Sequence, residues 1–400
     1  MFAPVAAVPL CAPEIRGNEW QYVKECLDTG WVSSAGAYVD RFESCLASRV
    51  GSAQAVATVN GTSALHIALL IAGVTPDDEV LISTLTFIAP ANAIRYCGAW
   101  PVFVDAEPDY WQMDPERLRE FLENDCHRVG GELRNRTTGR RVKAVVPVHI
   151  LGHPVDLAPI LELAERFGLA VIEDATEGLG ALYRGRSVGS FGAMGCFSFN
   201  GNKMLTTGGG GMLVTNDPAL AERARYLTTQ AKDDAVEYIH GEVGYNYRLT
   251  NVQAAIGCAQ LEQLDAFVAA KTHIAQTYGR ELAGLPGVTL MPEAAWAQSA
   301  WWLYTILIDE ARSATDRRRL MAQLGAAGIQ TRPLWQPMHL SPVFRGCQVL
   351  GGAVAERLNR QALSLPCSVG LSDEAQGRVI EAIRAGCRRG AVGPAASATL

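Results

Sequence analysis

Residues 195–216 read GCFSFNGNKMLTTGGGGMLVTN. Gly195–Phe199 and Gly211–Thr215 are short runs of apolar and β-branched residues, the pattern of buried strands. Between them Asn200, Gly201, Asn202 and the glycines at 208–211 supply turn chemistry, and one cation, Lys203, sits inside that loop. A lone lysine is ordinarily a solvated charge. A lysine carried between two buried strands on a glycine-rich path lies where backbone approaches a ligand closely.

Upstream, Ala55–Val59, Glu79–Ser83, Pro101–Asp105, Lys143–Ile150 and Leu169–Asp174 have the same strand character. They alternate with helix-like segments such as SALHIALLIAG, DPERLREFLEND and LAPILELAERFG. That rhythm predicts an α/β fold: a seven-stranded, mostly parallel sheet, apolar on both faces and covered by helices, with ligands at the carboxyl ends of its strands. Downstream, residues 251–287 read as one long helix ended by Gly284 and Pro286–Gly287. WWLYTILIDE then reads as a strand, TDRRRLMAQLGAAG as a helix and DEAQGRVIEAIRAGCRR as a final helix, which together predict a second, smaller α/β domain. Residues 391–400 are small and are expected to form a mobile tail. Asn124–Arg141, NDCHRVGGELRNRTTGRR, is too long and too basic for an ordinary connection. It reads either as a solvated hairpin or as a basic flap over the mouth of a site that takes an anionic substrate.

The chain has 400 residues, 48% of them hydrophobic, and a formal net charge of -6, so it can bury a large core and has no general attraction for nucleic acid. No window is apolar enough to span a membrane, and the first residues lack the basic and apolar regions of a signal peptide. The ten cysteines form no C-x-x-C pair and read as free thiols of a reducing compartment. A cytoplasmic location is expected.

Three groups of residues carry chemistry. NGTSAL at 60–65 follows a strand and opens a helix. Gly61 admits close approach there, Thr62 and Ser63 offer capping hydroxyls, and the helix dipole favours a phosphate. VIEDAT ends a strand in Glu173 and Asp174, where an acid can hold a protonated ring nitrogen. No further carboxylate cluster or histidine pair completes a metal shell. Ser198 and Lys203 follow, Lys203 29 positions after Asp174.

In that order, and over nearly the whole chain, the sequence resembles the DegT/DnrJ/EryC1/StrS sugar aminotransferases, fold-type I enzymes dependent on pyridoxal 5'-phosphate (PLP). The matching blocks include GNEWQYVKECLDTGWVSSAGAYVDRFE, NGTSALHIALL, VIEDATEGLGA, SFNGNKMLTTGGGG, GYNYRLTNVQAAIG and TRPLWQPMH. The resemblance implies catalytic roles for Lys203, which would carry the cofactor, and Asp174, which would pair with its ring nitrogen. It places Gly61, Thr62 and Ser198 at the phosphate, Phe87 on the ring face and Glu177 near the ring hydroxyl. Asn246 would reach the phosphate of a neighbouring subunit, so a homodimer with shared sites is implied, and no metal. Arg248 reads as a contact for a diphosphate or as an interface ion pair or stacking residue. Arg332 and His339 bracket the Trp335–Gln336–Pro337 loop, which lies where relatives contact the nucleotide sugar; a solvated arginine and a packed histidine are the other reading. Residues 1–30 would pack with a small domain of residues 271–390, and 31–270 would form the large PLP-binding domain.

Within the family, the resemblance is to the subgroup that aminates UDP-linked 4-keto-6-deoxy-N-acetylhexosamines with L-glutamate as donor and pyridoxamine phosphate as the cofactor's other form. A GDP- or dTDP-linked ketosugar is the alternative. A PLP-dependent sugar dehydratase is disfavoured because the best-known relatives that remove a sugar hydroxyl replace this lysine by histidine. A non-catalytic regulatory protein lacks support, since no helix-turn-helix extension or basic stripe is present.

Overall fold

A computed structural model describes residues 7–234 and 236–388; the expected mobile tail lies outside them. The main sheet is built from β1 (Gln54–Thr58), β2 (Glu79–Ser83), β3 (Trp100–Val104), β4 (Val142–Val146), β5 (Ala170–Asp174), β6 (Met194–Ser198) and β7 (Gly211–Thr215). Their spatial order is β1-β7-β6-β5-β4-β2-β3, and Val349–Leu350 adds a short parallel strand beyond β3. Only β7 runs against its neighbours β1 and β6. The expected seven strands and mostly parallel arrangement are therefore present. The eighth strand, from a chain segment far downstream, was not foreseen, because two residues leave no readable period.

Alternation along the strands explains their uninterrupted apolar character. Val80 and Ile82 of β2 enter one core and Leu81 the other; Ile172 and Val171 of β5, and Leu213 and Met212 of β7, divide in the same way. Each strand therefore needs apolar residues on both faces, and helices cover both.

Three boundaries differ from the sequence reading. β4 ends at Val146, not at Ile150, because Pro147 has no N–H for the ladder and the chain then turns through Leu151 at φ 61°. The long helix is two, Asn251–Leu261 and Leu264–Leu282, separated at Glu262–Gln263, where Gln263 leaves the helical region (φ -108°, ψ 2°). The strand within WWLYTILIDE is Tyr304–Ile308, which leaves both tryptophans ahead of it. It joins Val288–Thr289, Arg332–Pro333 and Ala362–Leu365 in a four-stranded antiparallel sheet. The N-terminal segment attaches there too, with Val8 paired to Ile329.

The 124–141 insertion is a hairpin, Cys126–Val129 with Glu132–Asn135, turning on Gly130 (φ 59°) and Gly131 (φ 87°). Its base is fastened to the amino end of β2: Asn135 Nδ2 and Thr138 Oγ1 each donate to Glu79 at 2.8 Å, and Arg141 Nε donates to Asp78 at 2.8 Å. That is the edge of the sheet opposite the strands' carboxyl ends. Replacing Arg128, Arg134 and Arg136 together by Gln should therefore leave KM for the sugar substrate within about twofold of wild type. A tenfold rise would return the hairpin to the role of a flap.

Candidate active site

The carboxyl ends of β1, β5 and β6 and the start of β7 converge on a cavity of about 280 Å3. Gly61, Thr62, Phe87, Asp174, Glu177, Ser198 and Lys203 all line it, together with Thr86, Pro90, Thr176, Trp302 and Trp335. Residues from Gly61 to Trp335 meet there, and those from the main sheet do so because each closes a strand or opens the segment after one.

The rim at β1 is a helix start. Asn60 Oδ1 accepts from Ser63 N at 2.8 Å and caps the helix Gly61–Ile71, a role the sequence reading gave to Thr62 and Ser63. With the cap supplied by Asn60, the Thr62 hydroxyl is left for the cavity. Neither it nor the Ser198 hydroxyl has a hydrogen-bond partner among the described residues. A Cβ on Gly61 would lie 2.9 Å from Ser198 Cβ and 3.1 Å from Thr176 Cγ2, so only glycine lets these segments close up. Two unengaged hydroxyls at a helix N-terminus form a cup for a phosphate.

β5 sorts its two acids by face. Glu173 turns away from the cavity, where its carboxylate accepts from Gly189, Phe191 and Gly192 N–H at 2.6–2.7 Å and faces His149 Nε2 at 3.2 Å. Asp174 lines the cavity, accepts Thr176 N–H at 3.1 Å, faces the Thr176 side chain as well, and is pushed above the usual carboxylate range by burial. An acid so placed favours a cation facing it.

Lys203 Nζ lies 3.4 Å from Glu177 Oε1. Glu177 is buried, accepts Leu151 N–H at 2.9 Å, and is raised to about 7, chiefly by desolvation and against the pull of Lys203. The other face of the ammonium rests on Trp302, 4.1 Å from the ring centroid. Trp302 stacks on Trp335 (6.2 Å, 9°), and its Nε1 donates to Asn202 O at 2.6 Å, gripping the residue before Lys203. Trp302 was missed by the sequence reading; the doublet Trp301–Trp302 was absorbed into a strand that begins two residues later. Phe87 stands 54% exposed at the wall, an aromatic face with no other packing duty.

Four expected residues lie off this cavity. Asn246 is exposed, while its neighbours Tyr245 and Tyr247 stack on each other and pack edge-on against His66. Arg248 is 3.6 Å from Asp40, with its buried Nε unpartnered. Arg332 is exposed on the small sheet. His339 is held by Thr84 Oγ1 at 2.7 Å and Glu356 at 3.2 Å, the contacts of a packed histidine.

A lysine amine, a buried carboxyl opposite and a phosphate cup, all at the carboxyl edge of this sheet, fit pyridoxal phosphate and define a PLP-dependent transaminase. The chain belongs to the DegT/DnrJ/EryC1/StrS aminotransferase family, whose model matches residues 13–384. It is similar to the GDP-perosamine synthase of Caulobacter vibrioides, 41% identical over 377 residues and covering 94% of this chain and 97% of that one. It is also similar to the GDP-perosamine synthase of Escherichia coli O157:H7, 40% identical over 367 residues with coverage of 92% and 95%. Among solved structures, the aminotransferase TlmJ from Streptoalloteichus hindustanus superposes with a TM-score of 0.85 at 31% identity, over 95% of this chain and 98% of that one. Among the described residues no helix is long and apolar enough to cross a membrane, and no cluster could hold a metal.

Glu177 makes the site's charge measurable. Its carboxyl is at about 7 when folded against an ordinary 4.5, so between those values the folded chain binds the proton that the unfolded chain has released. The contribution of Glu177 to the stability of the cofactor-free protein therefore falls as pH rises through that window. Glu177→Gln removes the term, and its melting temperature relative to wild type should be higher at pH 8 than at pH 5. Parallel curves would show that Glu177 is ionised throughout.

Proposed function

We propose that the protein transfers the amino group of L-glutamate to C4 of a nucleotide-linked 4-keto-6-deoxy sugar, working as a homodimer with shared sites. The observation that carries this reading is the Lys203 amine, set between Glu177 and the Trp302 ring in the cavity that Asp174 lines. The relatives named GDP-perosamine synthase favour a GDP-linked acceptor over the UDP-linked one that the sequence blocks resemble.

Bound pyridoxal phosphate supplies the carbonyl that takes the amino group and the ring that accepts the electron pair left on the donor carbon. The chain's residues do the rest. Thr62, Ser198 and the amino end of helix Gly61–Ile71 hold the phosphate, and Phe87 covers one ring face. Asp174, an acid that needs a cation beside it, keeps the ring nitrogen protonated. Lys203 then removes the Cα proton of glutamate and, in the second half-reaction, returns a proton to C4 of the sugar. Glu177, poised near neutrality, can give the lysine a proton or take one from it. Trp302 limits the ammonium's freedom and shields it from water.

Asn246, turned outward by its two stacked tyrosines, is assigned to the partner subunit's phosphate. Arg248 and Arg332 are assigned to the sugar diphosphate and His339 to the same region.

The reading is tested by incubating holoenzyme and glutamate with GDP-, UDP- and dTDP-linked 4-keto-6-deoxy sugars and weighing the products. The GDP sugar should gain the amine fastest, and Lys203→Ala should lower the rate at least about a thousandfold. Amination of the UDP sugar alone would reverse the nucleotide assignment, and no amination of any would remove the function. Mixing inactive Lys203→Ala and Asn246→Asp proteins should restore about a quarter of wild-type activity, since half the dimers then contain one intact site. No recovery would show that each site is built by one chain.

A further inference from the structure

Beside the Lys203 loop, three side chains from distant parts of the chain meet. Cys11 Sγ lies 3.5 Å from Lys271 Nζ and Cys367 Sγ lies 3.6 Å from it, so both thiols meet on one ammonium, and Cys367 Sγ donates to Trp302 O at 3.2 Å. Lys271 is buried on helix Leu264–Leu282, and its remaining contact is a 2.8 Å bond to Trp302 O. Among the described residues no carboxylate pairs with it. A buried ammonium without an anion is costly, and the only groups in contact that can become anionic are the two thiols.

The thiols are not equivalent. Cys11 is partly exposed and Cys367 buried. The neighbouring Cys367 thiol, with the charges of Lys271 and Lys203, brings the Cys11 thiol down to about 6 against the effect of burial, while Cys367 is pushed well up. Other buried thiols, such as Cys97, Cys126 and Cys258, go up to about 12. As a thiol, Cys11 donates to Asn202 O at 3.3 Å, the carbonyl that Trp302 Nε1 holds. The pair thus touches both segments that fix Lys203.

We propose that Cys11 and Cys367 form a peroxide-reactive thiol site, with Lys271 as the group that activates Cys11, and that its closure to a disulfide disturbs the Lys203 loop. The Cys11 thiolate attacks one oxygen of hydrogen peroxide, the O–O bond breaks and hydroxide leaves, taking up a proton as water. Cys11 is then a sulfenic acid, and Lys271 has lost its anion. Its charge now favours ionisation of Cys367, which attacks the Cys11 sulfur. The S–S bond forms and hydroxide departs, to leave as a second water with the proton from Cys367. Two thiols are oxidised and one peroxide is reduced to two waters. The disulfide leaves Lys271 pulling on Trp302 O without a counterion.

The test treats holoenzyme with dilute hydrogen peroxide and maps its peptides by mass. The expected result is a Cys11–Cys367 disulfide, a fall in transamination of at least about fivefold and recovery with dithiothreitol. Cys11→Ser should lose the sensitivity, its rates with and without peroxide agreeing within about twofold, and Cys367→Ser should stop at a sulfenic acid that dimedone traps on Cys11. Iodoacetamide at pH 7 should label Cys11 before the exposed Cys45, and Lys271→Met should slow that labelling about tenfold. The proposal is overturned if Cys45 reacts first, if the wild type stops at the sulfenic acid, or if the disulfide forms with no change in rate. The activity arm rests on the proposed transamination; the disulfide and labelling arms do not, so failure of one is distinguishable from failure of the other.

Discussion

The buried carboxyl of Asp174 is the constraint around which the site is arranged. At 1% exposure, with Thr176 as its hydrogen-bonding partner, its charged form is disfavoured by burial and gains from any cation on its side of the sheet. Strand geometry aims it. Because β5 alternates, Glu173 one residue earlier faces the opposite way, into three backbone N–H groups and His149. A slip of one residue would bring Asp174 to those donors and put Glu173 into the cavity. Parallel pairing with β6, where Cys196 stands opposite Asp174, prevents that slip and carries Ser198 to the same rim.

The charges around Lys203 follow from that burial. Two carboxyls, Asp174 and Glu177, line the cavity, both raised by desolvation, and one ammonium lies close to Glu177. Neither acid has a set of backbone donors like that of Glu173, so their proton affinities depend on what enters the cavity. A ring cation opposite Asp174 would settle one of them and leave Glu177 and Lys203 to exchange a proton between them. Trp302 shields the amine from the other side, and its carbonyl is in turn held by Lys271. Lys203 and the buried Lys271 are therefore linked through one tryptophan.

Much of this was legible in the sequence because the site uses strand ends. A run of apolar residues closing in Asp174, or opening from Asn60-Gly61-Thr62, marks a carboxyl edge whatever surrounds it. What could not be read depends on contacts between distant segments. The choice of Asn60 as the helix cap follows from an extended backbone at that residue (φ -168°), and the assignment of Trp302 to the site from a strand that starts after it. The basic insertion was ambiguous for a related reason. Its composition fits either edge of the sheet, and only the bonds from Asn135, Thr138 and Arg141 to Asp78 and Glu79 choose between them.

The glycine run after Lys203 shows how topology, more than any single contact, places the lysine. β7 is the one strand that runs against its neighbours, so its amino end must meet the carboxyl ends of β1 and β6, and Gly211 pairs with Thr58 on one side and Ser198 on the other. At that crossing a side chain has no room: a Cβ on Gly211 would lie 2.5 Å from Asn60 C and 2.6 Å from Gly61 N. Gly208 and Gly210, with φ of 78° and 158°, supply the turn that reaches it. The loop that leaves β6 and returns as β7 must therefore close over the start of helix Gly61–Ile71, and Lys203 is the cation it carries. The start of that helix and the lysine are two sides of one backbone crossing, which is why Gly61 and Lys203, 142 positions apart, line one cavity.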